Sequence, residues 1–183
     1  MISFRIFLTT IFLFNFLYAI DFTKDEQTFI SDKKAITMCI DPDWMPYEKI
    51  QKGKHIGMTY DYIRLFEKRI GIEIKMIPTT SWTQSIEYAK QRKCDIFSLA
   101  MVTPSRLKYM NFTKPYVSYP TVVATSIERP FVLNGKEIID NKKLGIVKGY
   151  AIGEILRKKY PLNRIIDVQT VDEGLDLVRK GKL

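Results

Sequence analysis

The sequence is poor in the residues on which most hydrolytic and metal-dependent chemistry relies. It contains one histidine, His55, and two cysteines in 183 residues. A serine–histidine–aspartate triad or a histidine-rich metal site needs more imidazole groups than this chain offers. Asp41 and Asp43 have no general-acid signature beside them. We therefore expect no enzyme, no catalytic residue, no cofactor and no metal, and we expect His55 to lie in a solvent-exposed turn.

The chain also lacks any run of five like charges, although its formal net charge is +9. Lysines and arginines are interspersed with acids, which is typical of a solvated basic surface rather than a nucleic-acid-binding patch. We therefore expect no nucleic acid partner. The hydrophobic fraction of 46% and the charged fraction of 27% indicate a globular protein with a real core.

Long apolar segments are missing except at the N-terminus. Residues 1–19 have Arg5 near their start, an apolar core from residue 6 to residue 17, and the small Ala19 at their end. This order is typical of a cleaved secretory signal peptide, so we expect export to the periplasm. The alternative is a membrane anchor, but the apolar stretch is short and polar residues interrupt it.

The scarce cysteines raise the question of a disulfide, since an exported chain meets an oxidising compartment. Cys39 lies late in one predicted strand and Cys94 just before another. If these strands are parallel neighbours, the cysteines are about four residues out of register, or roughly 13 Å apart. We therefore predict no disulfide and assign both cysteines to packing.

The richest local pattern lies in residues 102–116. Thr103 is suited to cap a helix, and Pro104 to occupy its first position. Free backbone N–H groups, a hydroxyl and the Arg106 guanidinium would then meet at one helix start and form a cradle for a carboxylate. The alternative is a capped surface turn in which Arg106 pairs with a local acid.

Five segments in a fixed order extend this pattern into a resemblance to a known family. They are Asp41-Pro42-Asp43-Trp44-Met45-Pro46-Tyr47-Glu48, Gly57-Met58-Thr59-Tyr60-Asp61-Tyr62, Gly71-Ile72-Glu73-Ile74, Cys94-Asp95-Ile96-Phe97 and the arginine segment. From residue 36 to residue 183 the chain resembles the family 3 extracellular solute-binding proteins. The resemblance implies an α/β fold, the two-lobed venus flytrap of type 2 periplasmic binding proteins, with parallel-rich sheets flanked by helices.

The expected organisation follows from this resemblance and from strand–helix alternation. Residues 20–35 form a leader helix, with Thr23 and Glu26 spaced as a capping box. Residues 36–126 form the first segment of lobe 1, and residues 119–126 a strand leaving it. Residues 127–183 form the crossing region and part of lobe 2. The family's second lobe needs more strands, so we expect an incomplete lobe in a fragment or truncated product.

The resemblance also implies a ligand site. Arg106 would bind a ligand carboxylate through its planar fork, helped by the N–H and hydroxyl of Thr103. Asp41 would face the cleft, or else cap the Pro42 turn. Trp44 would stack on the ligand and Trp82 would form the opposite wall, although each tryptophan can instead be a core or hinge residue.

The rest of the implied site departs from the amino-acid-binding pattern. Ala100 and Met101 stand where small hydroxyl residues are usual, and the lobe 2 turn Gly149-Tyr150-Ala151 lacks the usual threonines. An amino acid is the expected ligand, with another small carboxylate as a rival. The function implied is solute binding for an ABC permease. The alternative is an N-terminal sensing domain fused to a membrane histidine kinase or diguanylate cyclase.

Overall fold

The computed structural model describes residues 20–130, 142–161 and 164–183. The predicted signal peptide lies outside these residues, as does most of the predicted crossing region. The helices are α1 (Lys24–Asp32), α2 (Met58–Ile70), α3 (Trp82–Lys90), α4 (Ala151–Lys159) and α5 (Val171–Arg179). The strands are β1 (Ala35–Cys39), β2 (Asp43–Trp44), β3 (Glu48–Gln51), β4 (Lys54–Ile56), β5 (Glu73–Met76), β6 (Ile96–Phe97), β7 (Lys143–Val147) and β8 (Arg164–Val168). None of the helices described is both long and apolar enough to cross a bilayer.

A parallel sheet in the order β5-β1-β6 forms the centre of lobe 1, the name used here for β1–β6 with α2 and α3. Its core cluster consists of Met38, Ile40, Ile63 and Ile74. Strand β1 is central in this sheet, and Met38 and Cys39 at its end and Ile40 just after it are almost completely buried. The predicted strand–helix–strand alternation of this lobe is confirmed.

A small antiparallel sheet in the order β2-β3-β4 follows β1 and was not predicted. Lys52 and Gly53, both with positive φ, make the tight turn between β3 and β4. His55 lies in β4 with 9% of its surface exposed, and its Nε2 contacts Thr59 Oγ1 at 2.8 Å. The expectation of a solvent-exposed histidine was wrong because β4 packs one side against the start of α2.

The strands β7 and β8, with helices α4 and α5, form lobe 2. The two strands pair in parallel from Lys143 opposite Arg164 to Val147 opposite Val168. Thr170 caps α5 by accepting a hydrogen bond from the Glu173 N–H, as its spacing predicts.

The leader helix α1 begins at the predicted capping box. The Thr23 hydroxyl accepts from the Glu26 N–H, and the Glu26 carboxylate accepts from the Thr23 N–H. The helix has no buried residue. Just after it, Lys33 Nζ lies 2.8 Å from Asp95 Oδ1.

Three predicted elements are shorter than expected or absent. The strand expected over residues 95–100 is limited to the two residues of β6, and residues 119–126 form no strand. The helix expected at Thr103 and Pro104 is a single 3-10 turn, Arg106–Lys108. β-branched residues favour a strand only where a neighbouring strand can pair with them, and no described strand lies beside residues 119–126.

Cys39 and Cys94 form a disulfide, with Cα atoms 5.6 Å apart. The prediction of two unbonded cysteines was wrong because it placed Cys94 in line with a strand. Strand β6 begins only at Ile96, and the chain between α3 and β6 turns through Arg92, which has a positive φ. The strand rise therefore does not measure the distance between the two residues.

Candidate functional site

A cleft of about 330 Å³ lies between the lobes at the carboxyl ends of β1 and β6. Parallel strands end at the same edge of a sheet, so the residues that follow them meet there. The walls come from residues 99–101 and 119–122 on the side of lobe 1 and from residues 150–152 at the start of α4. Eight of the predicted site residues line it: Asp41, Trp44, Trp82, Ala100, Met101, Arg106, Tyr150 and Ala151.

Arg106 is a buried cation in this cleft, with 5% of its surface exposed. Its Nη1 donates to the Met101 carbonyl at 2.8 Å, and its Nη2 donates to the Gly149 carbonyl at 3.0 Å. The guanidinium carbon lies 5.3 Å from the Trp82 ring centroid. Burial lowers the pKa of Arg106. No carboxylate in residues 20–130, 142–161 or 164–183 forms a salt bridge with it.

Thr103 supports the arginine turn and is not one of the residues lining the cleft. It is 1% exposed, and its hydroxyl accepts from the Arg106 N–H at 3.3 Å. The same hydroxyl donates to Glu154 Oε2 at 3.1 Å, so a protein carboxylate already uses it. Glu154 was not predicted as a site residue, because in the sequence it is an ordinary acid in the first turn of a helix.

Asp41 is a buried acid at the end of β1, with 4% of its surface exposed. Its Oδ1 accepts from the Asp43 N–H at 3.0 Å, which is the turn-capping role that the sequence left open. Its Oδ2 accepts from the Tyr150 hydroxyl of lobe 2 at 2.7 Å. Burial raises the pKa of Asp41, and burial together with the nearby Asp41 charge raises the pKa of Tyr150.

An aromatic cluster forms one wall of the cleft. The ring centroids of Trp44, Tyr47 and Tyr119 are 4.9 to 5.2 Å apart, and the Tyr150 ring lies 6.1 Å from Trp44. These separations are typical of tilted and edge-to-face packing. Tyr47 and Tyr119 were not predicted as site residues, although Tyr47 lies inside one of the quoted segments.

Gly149 joins the two lobes through its backbone. Its carbonyl accepts from Trp82 Nε1 at 3.0 Å as well as from Arg106, so Trp82 makes an inter-lobe contact while it also lines the cleft. Gly149 has φ +83°, and a Cβ there would lie 3.3 Å from both Trp82 Cδ1 and Ile86 Cδ1. The position therefore requires glycine for its conformation and for close approach.

A buried acid, Glu48, lies beneath Asp41 and was assigned no role from the sequence. It is 0% exposed, and its Oε1 accepts from the Asp41 N–H at 2.8 Å. Its Oε2 accepts from Thr59 Oγ1 at 3.2 Å and from the Ser98 hydroxyl. Burial raises the pKa of Glu48 to about 7 and lowers that of the neighbouring His55 to about 4.

The two-lobed arrangement, with parallel strands ending at an inter-lobe cleft, is that of a periplasmic-binding-protein fold. The chain belongs to the bacterial extracellular solute-binding proteins, family 3, whose family model matches residues 36–182. This confirms the family and the fold class expected from the sequence. Members of this family act in solute binding or in sensing.

A sensor protein and a solute-binding protein are among the relatives of the chain. The virulence sensor protein BvgS of Bordetella pertussis is 18% identical over 162 residues, which cover 88% of this chain and 13% of BvgS. A probable histidine-binding protein of Campylobacter jejuni is 29% identical over 139 residues, which cover 73% of this chain and 53% of that protein. The chain thus spans about half or less of the length of these relatives.

A solved structure shares the fold over most of the chain. The crystal structure of the BvgS periplasmic VFT2 domain from Bordetella pertussis matches with a TM-score of 0.75 and 18% identity. The match covers 88% of this chain and 69% of the VFT2 chain. At this level of identity, the likeness concerns the fold alone.

Proposed function

We propose that this chain, once exported, binds a small carboxylate-bearing solute in the cleft between its lobes, with Arg106 receiving the carboxylate. The observation that carries the proposal is the buried charge of Arg106, which faces the cleft and has no salt-bridge partner among the described residues. A buried charge is costly unless an opposite charge meets it, so the cleft favours an anionic group at this point.

Asp41 makes an amino acid the preferred ligand. It supplies a buried acid to the same cleft, where its hydrogen bonds come from Asp43 and Tyr150 rather than from a cation. The carboxylate of an amino acid would meet Arg106 and its ammonium group would meet Asp41. A simple carboxylate would leave Asp41 without an opposite charge. Trp44 adds an aromatic surface for the ligand's side chain. The role of the site is binding rather than catalysis.

The proposed readout is delivery of the solute to an ABC permease, as for a transport receptor. The Campylobacter relative, described as a probable histidine-binding protein, supports this assignment. The second candidate is a ligand-sensing domain joined to a membrane histidine kinase or diguanylate cyclase, which the likeness to BvgS supports. Deleting the gene would abolish uptake of the bound solute in the first case. In the second case, uptake would remain and the response to that solute would be lost.

The binding proposal is tested by thermal unfolding of the full chain with a panel of amino acids, monocarboxylates and dicarboxylates. A ligand present at about 100 times its Kd stabilises the folded state by about 2.7 kcal/mol, or roughly 5 to 10 °C in Tm. We expect such a rise with at least one amino acid. Arg106→Lys should abolish it, since an ammonium group cannot reproduce the bidentate fork.

The matched control is Arg179→Lys, because Arg179 is a surface residue whose side chain is 76% exposed. This variant should keep the full rise in Tm. The carboxylate assignment is wrong if no anionic compound raises the Tm of the wild-type chain, or if Arg106→Lys responds as strongly as the wild type.

A further inference from the structure

Glu154 connects lobe 2 directly to the arginine turn of lobe 1. It lies in the first turn of α4, and its Oε2 accepts from Ser105 Oγ at 2.6 Å and from Thr103 Oγ1 at 3.1 Å. These partners are 49 and 51 residues away in sequence. Two hydroxyl groups on one carboxylate form charge-assisted hydrogen bonds, which are about twice as strong as neutral ones.

The contact reaches the ligand-binding arginine through a buried residue. The Thr103 hydroxyl that donates to Glu154 also accepts from the Arg106 N–H. The Ser105 hydrogen bond lowers the pKa of Glu154, so its carboxylate stays charged near neutral pH. A movement of Glu154 away from the turn would therefore remove a charged partner from the residues that hold Arg106 in place.

Three other inter-lobe hydrogen bonds involve residues that line the cleft, and a fourth runs from the Thr83 hydroxyl to the Lys148 carbonyl at 3.5 Å. Arg106 and Trp82 both donate to the Gly149 carbonyl, and Tyr150 donates to Asp41. Together with Glu154, these contacts hold the cleft closed with the chain's own donors and acceptors. Glu154 and Thr83 are exposed and lie outside the cleft lining, so both can act on closure without touching a ligand. Of the two, Glu154 is charged and accepts two hydrogen bonds, at 2.6 and 3.1 Å, whereas Thr83 donates one at 3.5 Å.

We propose that Glu154 is a latch that holds the two lobes closed before a ligand binds, so that ligand entry requires its hydrogen bonds to Thr103 and Ser105 to open. This inference rests on the proposed function, since it supposes that the ligand enters between the lobes. It reverses the usual order in which a ligand draws open lobes together, because closure here is stabilised by protein contacts.

The test uses the Trp82 indole N–H as a reporter of opening. This proton is donated across the lobes to the Gly149 carbonyl, and Trp82 is only 7% exposed. Its exchange with solvent deuterium, followed by NMR on the full chain without added ligand, is proportional to the open fraction. Trp44→Phe removes the signal of the second of the chain's two tryptophans and assigns the reporter.

We expect Glu154→Gln to accelerate indole exchange about five- to tenfold, since the amide loses the charge-assisted part of both hydrogen bonds. Ser105→Ala removes one donor, keeps the carboxylate and should give a smaller acceleration. Glu73→Gln is the matched control, because Glu73 is 59% exposed and pairs with Lys75 at the surface. It should leave the exchange rate unchanged.

The backbone amides of β1 separate opening from general loss of stability. If Glu154 is a latch, the Trp82 indole N–H should exchange faster in Glu154→Gln than in the wild type. The backbone N–H groups of the buried Met38 and Cys39 should exchange at the same rate in both proteins. The proposal is overturned if the Trp82 indole exchange rate in Glu154→Gln is within about twofold of the wild-type rate. It is also overturned if the exchange rates of the β1 backbone amides rise by the same factor. Because no ligand is added, these outcomes do not depend on the ligand panel. A working latch in a chain that binds no anion would overturn the proposed function alone.

Discussion

Replacing Glu48 with glutamine tests the energetic cost of ionising a buried acid beneath the cleft. Burial raises the pKa of Glu48 from 4.5 to about 7. An acid with a higher pKa in the folded state binds more protons there than in the unfolded state. Its contribution to stability is therefore present at low pH and is lost as the pH rises through about 7. For Glu48 this loss amounts to about 2.5 kcal/mol between roughly pH 5 and pH 8.

The assay is urea unfolding of the wild type and of Glu48→Gln across this pH range. The free energy of unfolding of the variant, minus that of the wild type, should rise by about 2.5 kcal/mol from roughly pH 5 to pH 8. His55 has a lowered pKa and the opposite pH dependence, but both proteins retain it, so its contribution cancels. The glutamine can still accept from the Asp41 N–H, which keeps the end of β1 in place.

Glu73→Gln serves as the control for this prediction as well, because it removes a carboxylate from the surface rather than from the interior. The reasoning is refuted if the difference for Glu48→Gln changes by less than about 0.5 kcal/mol across the same range. That result would mean that Glu48 is ionised at little cost and that its hydrogen bonds from Asp41, Thr59 and Ser98 compensate its burial.

Two further changes test contacts that the structure adds to the sequence analysis. Replacing both Cys39 and Cys94 with alanine should lower the free energy of urea unfolding by about 4 kcal/mol, because the bond closes a separation of 55 residues. Dithiothreitol should destabilise the wild type and leave the double variant unaffected, and equal sensitivity would contradict the assignment. Tyr150→Phe should cost about 1 to 2 kcal/mol by leaving an oxygen of the buried Asp41 without its donor. The comparison is Tyr60→Phe, whose ring is 40% exposed, and equal losses would contradict the prediction.

Local patterns predicted the helices and the central strands of both lobes. Helix α2 has an apolar face at helical spacing. Thr23 is followed three residues later by Glu26, which completes a capping box, and Thr170 accepts from the Glu173 N–H. These signals work because each depends on residues within one or two turns. Arg106 and Asp41, which the sequence analysis predicted as site residues, both line the cleft.

The features that sequence reasoning missed depend on long-range partners. Glu154 acquires its role only because Thr103 and Ser105, some fifty residues earlier, lie opposite it. The disulfide depends on a turn between α3 and β6 that strand arithmetic does not describe. Residues 119–126 have the composition of a strand, but strand propensity reflects packing against neighbours that this segment does not have among the described elements.

The bond between Cys39 and Cys94 makes part of lobe 1 a closed ring, which contains α2, β5 and α3. A pulling force on the chain is transmitted through this bond. The residues inside the ring, which would span about 190 Å if extended, therefore cannot be stretched by it. Asp41 lies inside this ring, and the arginine turn and lobe 2 follow it in the chain. Mechanically, most of lobe 1 is therefore a cross-linked body, whereas lobe 2 lies outside the cross-link and bears the load directly.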